Sequence, residues 1–387
     1  MYPRISDMIN DLLGTSIKLP IQTYGFFVAM AFVVGGLILS LELRRKEKNG
    51  LLKPQKKTIT KGKPASIREL SFSGILGFLL GYKGVDMIMN YSAFVDDPQR
   101  FLLSGDGSFL GGIALAALSV FATWRGAEKE KLPKPKTEEI EVRPHELTTT
   151  FMTIAAAAGI AGAKLFDILE NPPSFFADPI GTIFSFQGLT FYGGLIVAAI
   201  TIIWYARHNG IPWRVLADSA APALLLGYAV GRLGCQISGD GCWGIENLNP
   251  KPEWLAFLPD WAWAYDFPNN VIREGVPIHN CSGQYCRVLE NPVYPTSLYE
   301  STLSVFFFVI LWLLRKKILI PGMIFSIYLI MNGTARFLVE KIRVNPPYHF
   351  LGIEITQAEI ISTTLILIGV AGMIYLFISN RKITHKS

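Results

Sequence analysis

Nine mostly apolar stretches alternate with polar segments along the chain, at roughly 21–41, 68–89, 109–124, 149–169, 189–206, 214–235, 297–314, 321–341 and 356–379. Most approach the about 20 residues that a helix needs to cross a hydrocarbon core about 30 Å thick. They are apolar on every face, whereas a soluble amphipathic helix keeps a polar side. The pattern predicts an all-α polytopic membrane protein with about nine transmembrane helices. Between the sixth and seventh stretches, residues 236–296 are long, proline-rich and carry Trp254, Trp261 and Trp263. This segment predicts an extracytoplasmic head lying on the membrane surface. The N-terminal "MYPRISDMINDLLGTSIKLP" has no basic region leading into a short apolar core and cleavage site, so the first span is expected to stay in the mature chain.

A repeat underlies part of the pattern. "GYKGVDMIMN" (81–90) matches "GAKLFDILEN" (162–171), and Asp-Pro at 97–98 matches Asp-Pro at 178–179, a spacing of 81. Gly111-Gly112 matches Gly193-Gly194, and Trp124-Arg125 parallels the end of span five at Arg207, a spacing of 82. Spans two and three therefore read as a copy of spans four and five. The expected organisation is 1–67, first span and following loop; 68–148, duplicated hairpin and loop; 149–235, core spans; 236–296, head; 297–387, C-terminal core spans.

Charge then orients the helices. The chain is 50% hydrophobic and carries 36 Lys and Arg against 30 Asp and Glu, a net charge of +6. That excess does not read as a nucleic-acid surface, because the basic residues cluster in short loops. "ELRRKEKNGLLKPQKKTITKGK", "WRGAEKEKLPKPKTEEIEVR", "RHNGIPWR", "LRKK" and "NRKITHKS" follow spans one, three, five, seven and nine. The positive-inside rule makes these segments cytoplasmic, with the N-terminus outside and the C-terminus inside.

Ionisable residues in spans cost about 2.5–3.5 kcal/mol each near the bilayer centre on insertion scales, so they are functional candidates. Arg232 and Asp240 lie in "VGRLGCQISGDGCWG" (230–244), whose glycines predict a helix ending in a tight turn. Such a turn can aim backbone N–H groups at an anion beside the arginine, though an arginine snorkelling to the interface would read the same way. In "YPTSLYE" (294–300), Tyr299 and Glu300 fall about one turn into a helix. In "MNGTARFLVEKIR" (331–343), Asn332, Arg336, Glu340 and Arg343 form one helical stripe. A local Arg336–Glu340 pair would explain part of that stripe. With Arg232 as well, a shared anionic site is the better reading. Clustered guanidinium groups suit phosphate oxygens, and in a membrane the obvious phosphate compound is a phospholipid headgroup.

At these residues the chain resembles the bacterial prolipoprotein diacylglyceryl transferases. The resemblance rests on "GRLGCQISGDGCWG", Tyr24-Gly25 in "IQTYGFF", "GLTFYGGLI", "YPTSLYE" and "NGTARFLVEKIR", in the family's order. It implies transfer of the diacylglyceryl group of phosphatidylglycerol to the lipobox cysteine thiol of a prolipoprotein signal peptide, with glycerol phosphate leaving. It implies a multi-pass enzyme of the bacterial cytoplasmic (inner) membrane, with no metal or organic cofactor and no nucleic-acid partner. Arg232 and Arg336 would hold the phosphate, helped by Arg343. Glu300 and Glu340 would orient those arginines or relay a proton, and Asp240 would join them as a catalytic residue. Tyr24, Gly193, Gly194, Tyr299 and Asn332 would line the lipid site.

The chain departs from the family pattern at several points. Tyr192 stands in the catalytic position where many members have histidine; a neutral tyrosine is a poor base near pH 7, so either Tyr192 is tuned by the nearby arginines or the base lies elsewhere. Asn332 replaces tyrosine, Cys235 asparagine, Tyr294 histidine and Asp240 glutamate. His279 and His349 are then the external histidines to consider as substitute bases. The departures keep two alternatives open: an inactive or differently specific paralogue, and an anionic-solute transporter. A transporter would favour polar groups near midplane, whereas these cluster toward one end of the spans. Cys281 and Cys286 can pair as a disulfide on the oxidising side, or join His279 in a metal site of no standard spacing. Cys235 reads as a buried inert thiol.

Overall fold

The computed structural model describes every residue except 97, 186, 187, 189, 282, 347, 351, 352 and 385–387. Asp97 of the first Asp-Pro pair and Leu189 of "GLTFYGGLI" therefore lie outside the described residues.

The chain is a helical bundle. Its helices are α1 (Ile5–Leu13), α2 (Thr23–Lys48), α3 (Ile67–Met89), α4 (Tyr91–Asp96), α5 (Pro98–Leu103), α6 (Phe109–Glu130) and α7 (Thr148–Glu170). They continue with α8 (Pro172–Ala177), α9 (Pro179–Phe184), α10 (Phe191–His208), α11 (Trp213–Ser238), α12 (Thr296–Leu314), α13 (Met323–Glu340) and α14 (Gln357–Thr384). Long helices stand at all nine expected stretches. Seven, namely α2, α3, α6, α7, α12, α13 and α14, are long and apolar enough to cross a membrane. The other two fall short for a visible reason. Helix α10 has only 18 residues and ends on Arg207 and His208, and α11 carries Arg214, Asp218 and Arg232. Many side chains on the long helices point outward, such as Leu110 at 82% and Ile88 at 75% exposure. That is the arrangement expected of lipid-facing positions in a membrane bundle.

The centre is built by α2 on α11, α11 on α12, and α13 on α14. One apolar core joins Leu39, Leu43, Phe151, Val215 and Leu216; another joins Ala221, Leu225, Leu311 and Ile324. Helix α12 packs against both α11 and α13, which puts Arg232, Glu300 and Arg336 on neighbouring helices although 57 residues separate α11 from α12.

Two side hairpins, α3 with α6 and α7 with α10, share the same contacts at the shift read from the sequence. A Cβ on Gly81 would lie 2.2 Å from the Gly111 carbonyl, and one on Gly162 would lie 2.6 Å from the Gly193 carbonyl. The Ser108 amide donates to the Tyr82 carbonyl at 2.8 Å, and the Thr190 amide to the Ala163 carbonyl at 3.2 Å. The helix pair α4–α5 recurs as α8–α9. Only residues without side chains allow the helix backbones to come this close. Their polar ends differ. Lys83 Nζ donates to the carbonyls of Phe101, Ser104 and Asp106, whereas Lys164 Nζ pairs with Asp167 at 3.0 Å. Leu110 stands in the first hairpin where Tyr192 stands in the second.

Strands are few. The loops after α2 and α6 meet as an antiparallel ribbon, β1 (Gln55–Lys61) with β2 (Lys136–Val142). Residues 239–295 hold a short pair, β3 (Val276–Pro277) with β4 (Arg287–Val288), around an apolar nucleus of Trp243, Phe267, Leu289 and Val293. Before α14 comes β5 (Tyr348–Phe350) with β6 (Ile353–Ile355).

Candidate active site

Glu300 sits on the second turn of α12, 3% exposed, and gathers three arginines from two other parts of the chain. Arg232 Nε of α11 lies 2.7 Å from its Oε2, and Arg336 Nη1 of α13 donates to its Oε1 at 2.9 Å. Arg343 Nη1, just beyond α13, is 3.6 Å from Oε1. Arg336 also holds Glu340 Oε2 through Nη2 at 2.8 Å. The expected Arg336–Glu340 pair is thus present, as one edge of a larger knot rather than as an alternative to it.

Neighbouring residues orient this knot. Arg232 Nε donates to the Tyr228 hydroxyl at 2.8 Å and lies over that ring at 5.0 Å. Its Nε hydrogen is therefore spent on Tyr228, and Glu300 Oε2 is held by charge. Asn345 Nδ2 donates to Glu340 Oε1 at 2.7 Å. Sequence reasoning missed both residues. Tyr228 was within reach of it, because four positions on a helix place two side chains on one face. Asn345 carried no such signal.

Three guanidinium groups against two carboxylates leave one net positive charge. Arg343 Nε and Nη1 are buried donors with no hydrogen-bond partner among the described residues. Leaving such a donor unsatisfied costs about 1–3 kcal/mol, more for a charged group. A site with one spare positive charge and spare guanidinium donors is matched to a singly charged phosphodiester.

The loop after α11 delivers Arg343. Helix α11 ends at Gly239 with φ 66°, and Gly241 follows at φ 86°. The chain then runs as an extended segment between two others. The Gly244 amide donates to the Tyr294 carbonyl at 2.8 Å, and the Ile245 amide to the Ile342 carbonyl at 2.9 Å. A Cβ on Gly244 would lie 2.2 Å from the Ile342 carbonyl oxygen. Gly244→Ala is therefore expected to push residues 342–343 away and misplace Arg343. Overpacking of this kind costs about 1–3 kcal/mol. A lowered melting temperature together with weaker binding of a phosphodiester ligand would show it; an unchanged pair of values would contradict it.

Other expected residues fall elsewhere. Asp240 forms no ion pair with the arginines among the described residues; its Oδ1 accepts the Cys242 amide at 3.2 Å. The turn at Gly239 carries it toward Cys235 and Cys242 instead. The Tyr299 hydroxyl donates to the Ala262 and Trp263 carbonyls at 3.0 and 3.3 Å, tying α12 to the 239–295 segment. Gly193 and Gly194 are consumed by packing on α7: a Cβ on Gly193 would lie 2.3 Å from Phe166 Cβ, and one on Gly194 would lie 2.8 Å from the Gly159 carbonyl. Tyr192 is half-buried beside Phe191 and makes no hydrogen bond among the described residues. Asn332 is half-buried one turn before Arg336, with no hydrogen bond among the described residues. Tyr24 opens α2 at 46% exposure, next to the point where Gly234 lets α11 approach. His279 is exposed, and His349 pairs with Glu354 at 3.6 Å in the β5–β6 ribbon, so neither histidine joins the arginine knot. Cys281 and Cys286 are disulfide-bonded, which removes the His279/Cys281/Cys286 metal set.

A second buried charge network ties the opposite end of the bundle. Glu42 pairs with Arg45 at 2.8 Å and with Arg315, while Lys46 Nζ donates to the Val215 carbonyl at 2.9 Å. Asp218 accepts the Gly322 and Phe325 amides at 2.7 and 2.8 Å, capping α13. Asp218 and Arg232 stand 14 residues apart on α11, roughly 20 Å at about 1.5 Å per residue. These groups fasten helices and take no part in the arginine knot.

Comparison with known proteins agrees with the motifs. Residues 112–375 match the family model described as prolipoprotein diacylglyceryl transferase. A phosphatidylglycerol–prolipoprotein diacylglyceryl transferase of Shouchella clausii is 30% identical over 233 residues, 60% of this chain and 76% of that protein. One from Proteus mirabilis is 25% identical over 299 residues, 75% and 96% of the two chains. One from Leptospira interrogans is 34% identical over 164 residues, 42% and 44%.

Proposed function

The chain belongs to the prolipoprotein diacylglyceryl transferase family, and from that premise we propose that its arginine knot holds the phosphate of phosphatidylglycerol during transfer. The protein is a multi-pass membrane transferase. Its diacylglyceryl donor is phosphatidylglycerol, and its acceptor is the lipobox cysteine of a prolipoprotein signal peptide. It resides in the bacterial cytoplasmic membrane, oriented so that the knot faces the outer leaflet. The basic loops at the other end supply that orientation.

The observation that carries this reading is the convergence of Arg232, Arg336 and Arg343 on buried Glu300. In the reaction, the acceptor sulfur attacks the lipid glycerol carbon that bears the phosphate ester. The S–C bond forms as the C–O bond breaks, and the electron pair leaves on glycerol phosphate. The thiol proton passes to solvent water before or during attack. Charge develops on the leaving phosphate, and preorganised guanidinium donors stabilise it without reorganising at that moment. Glu300 and Glu340 act through the arginines: they fix the forks and set the net charge. Tyr24, at the exposed start of α2, lines the lipid entry.

The test is mass spectrometry of a lipobox peptide incubated with purified protein and phosphatidylglycerol. A diacylglyceryl mass gain is expected on the cysteine peptide and none on its serine counterpart, with glycerol phosphate released in equal amount. Release without peptide, or no mass gain, would overturn the reading. In the same assay Tyr192→Phe is expected to keep turnover within about threefold, because Tyr192 packs beside Phe191 and makes no hydrogen bond to the arginine knot among the described residues. A loss of a hundredfold would return Tyr192 to the chemistry.

A further inference from the structure

The arginine knot explains how the phosphate leaves but supplies no base for the incoming thiol. Beside it, Cys235, Asp240 and Cys242 bring two thiols and a carboxylate together, their Sγ and oxygen atoms all within 4.8 Å of one another. Neither cysteine is in a disulfide, and Cys235 is 6% exposed. The position is built. Cys235 follows Arg232 by one turn of α11, and the αL glycines at 239 and 241 fold the chain back. Thr296 and Ser297 Oγ donate to the Cys242 carbonyl at 2.7 and 3.0 Å, four and three residues before Glu300.

We propose that Cys235, Asp240 and Cys242 bind a zinc-class divalent metal ion whose fourth position takes the acceptor thiol. The inference rests on the transferase reading and deepens it. Two sulfurs and one carboxylate oxygen are a donor set that suits zinc, and three protein ligands leave one position open, as catalytic zinc sites do. Tetrahedral bonds of about 2.3 Å to sulfur and about 2.0 Å to oxygen need ligand atoms roughly 3.5 Å apart, a side-chain adjustment from the present spacing. Metal binding deprotonates Cys235 and Cys242, and their protons go to solvent. A coordinated acceptor thiol is likewise deprotonated outright, giving its proton to water. Its sulfur then forms the S–C bond while the C–O bond breaks toward the arginines. No side-chain base is needed, which fits a chain with Tyr192 in place of histidine. The cysteines at 235 and 242 then have a purpose beyond packing.

The test uses the full-length chain, purified under reducing conditions in detergent with phosphatidylglycerol. Metal analysis is expected to find about one zinc per chain, and Co²⁺ added after chelator treatment is expected to give a thiolate-to-cobalt absorption band. Cys242→Ser should abolish that band and weaken Co²⁺ binding at least tenfold, and Asp240→Asn should weaken it at least threefold. Cys281→Ser with Cys286→Ser should leave the band unchanged. Zinc-loaded protein should transfer at nearly constant rate from pH 6 to 8. Chelated protein should slow about tenfold per pH unit below the ordinary thiol pKa of about 8.5. No cobalt band in reduced wild type, a band that survives Cys242→Ser, or a Cys235–Cys242 disulfide in maleimide counting of protein purified without reductant would each overturn the metal site. Transfer that proceeds without metal and without the pH change would overturn its role while leaving the transferase reading intact. A metal-loaded chain that lipidates no peptide would sink that reading and with it the thiol's place on the metal.

Discussion

Glu300→Gln is expected to lower diacylglyceryl transfer by about 10²–10³-fold, the range seen when one preorganised electrostatic group is removed from a transition-state site. The substitution keeps the size of the side chain and removes its charge. Arg232, Arg336 and Arg343 then share only Glu340 as an anion, and the net charge of the knot rises from one to two. Breaking a buried ion pair by removing one partner costs about 3–5 kcal/mol. Glutamine still offers one acceptor to Arg336 Nη1, so a cost near about 3 kcal/mol is expected. Peptide lipidation and thermal unfolding of the same preparation check both parts. Full activity with an unshifted transition would mean that Glu300 does not organise the arginines.

The arginines themselves should separate by their partners. Arg232→Ala and Arg336→Ala are each expected to reduce transfer by about 10³-fold, because a guanidinium fork matches phosphate oxygens. Their effects on folding differ. Removing Arg232 leaves Glu300 paired with Arg336 at 2.9 Å, so the fold should hold. Removing Arg336 strips an arginine from both Glu300 and Glu340, and among the described residues Glu340 keeps only the Asn345 side chain. Arg336→Ala should therefore unfold at lower temperature than Arg232→Ala while losing similar activity. Lysine at either position should restore stability better than transfer, since its point charge satisfies a carboxylate but lacks the fork. Melting curves and lipidation rates of the four variants decide this.

Much of the architecture was legible because a bilayer imposes a simple code. Among the described residues seven of the nine apolar stretches are helices long and apolar enough to cross a membrane, with the ends of α3, α7 and α12 within a residue or so of the expected limits. The repeat was legible because close helix contact demands glycine at fixed positions, and the same glycines meet in both hairpins. Arg232, Glu300, Arg336 and Arg343 were legible because charged groups in apolar helices need partners. Which carboxylate each arginine meets was not, since pairing depends on helix neighbours far apart in sequence. Asp240 shows the limit. Its place in the Arg232 motif pointed to the arginines, yet the turn at Gly239 sends it to the cysteines. Gly193 and Gly194 show another: a sequence cannot tell a glycine that admits a ligand from one that admits a helix. The Glu42–Arg315 and Asp218–Gly322 contacts at the opposite end were also invisible, because each joins residues more than 100 positions apart.

The central claim is that guanidinium groups gathered by Glu300 grip the lipid phosphate. Native mass spectrometry of the purified chain with phosphatidylglycerol tests it without requiring turnover. Wild type is expected to retain one phosphatidylglycerol against excess zwitterionic lipid, and Arg232→Ala and Arg336→Ala to weaken that retention at least tenfold. Equal retention by wild type and both variants would contradict the account.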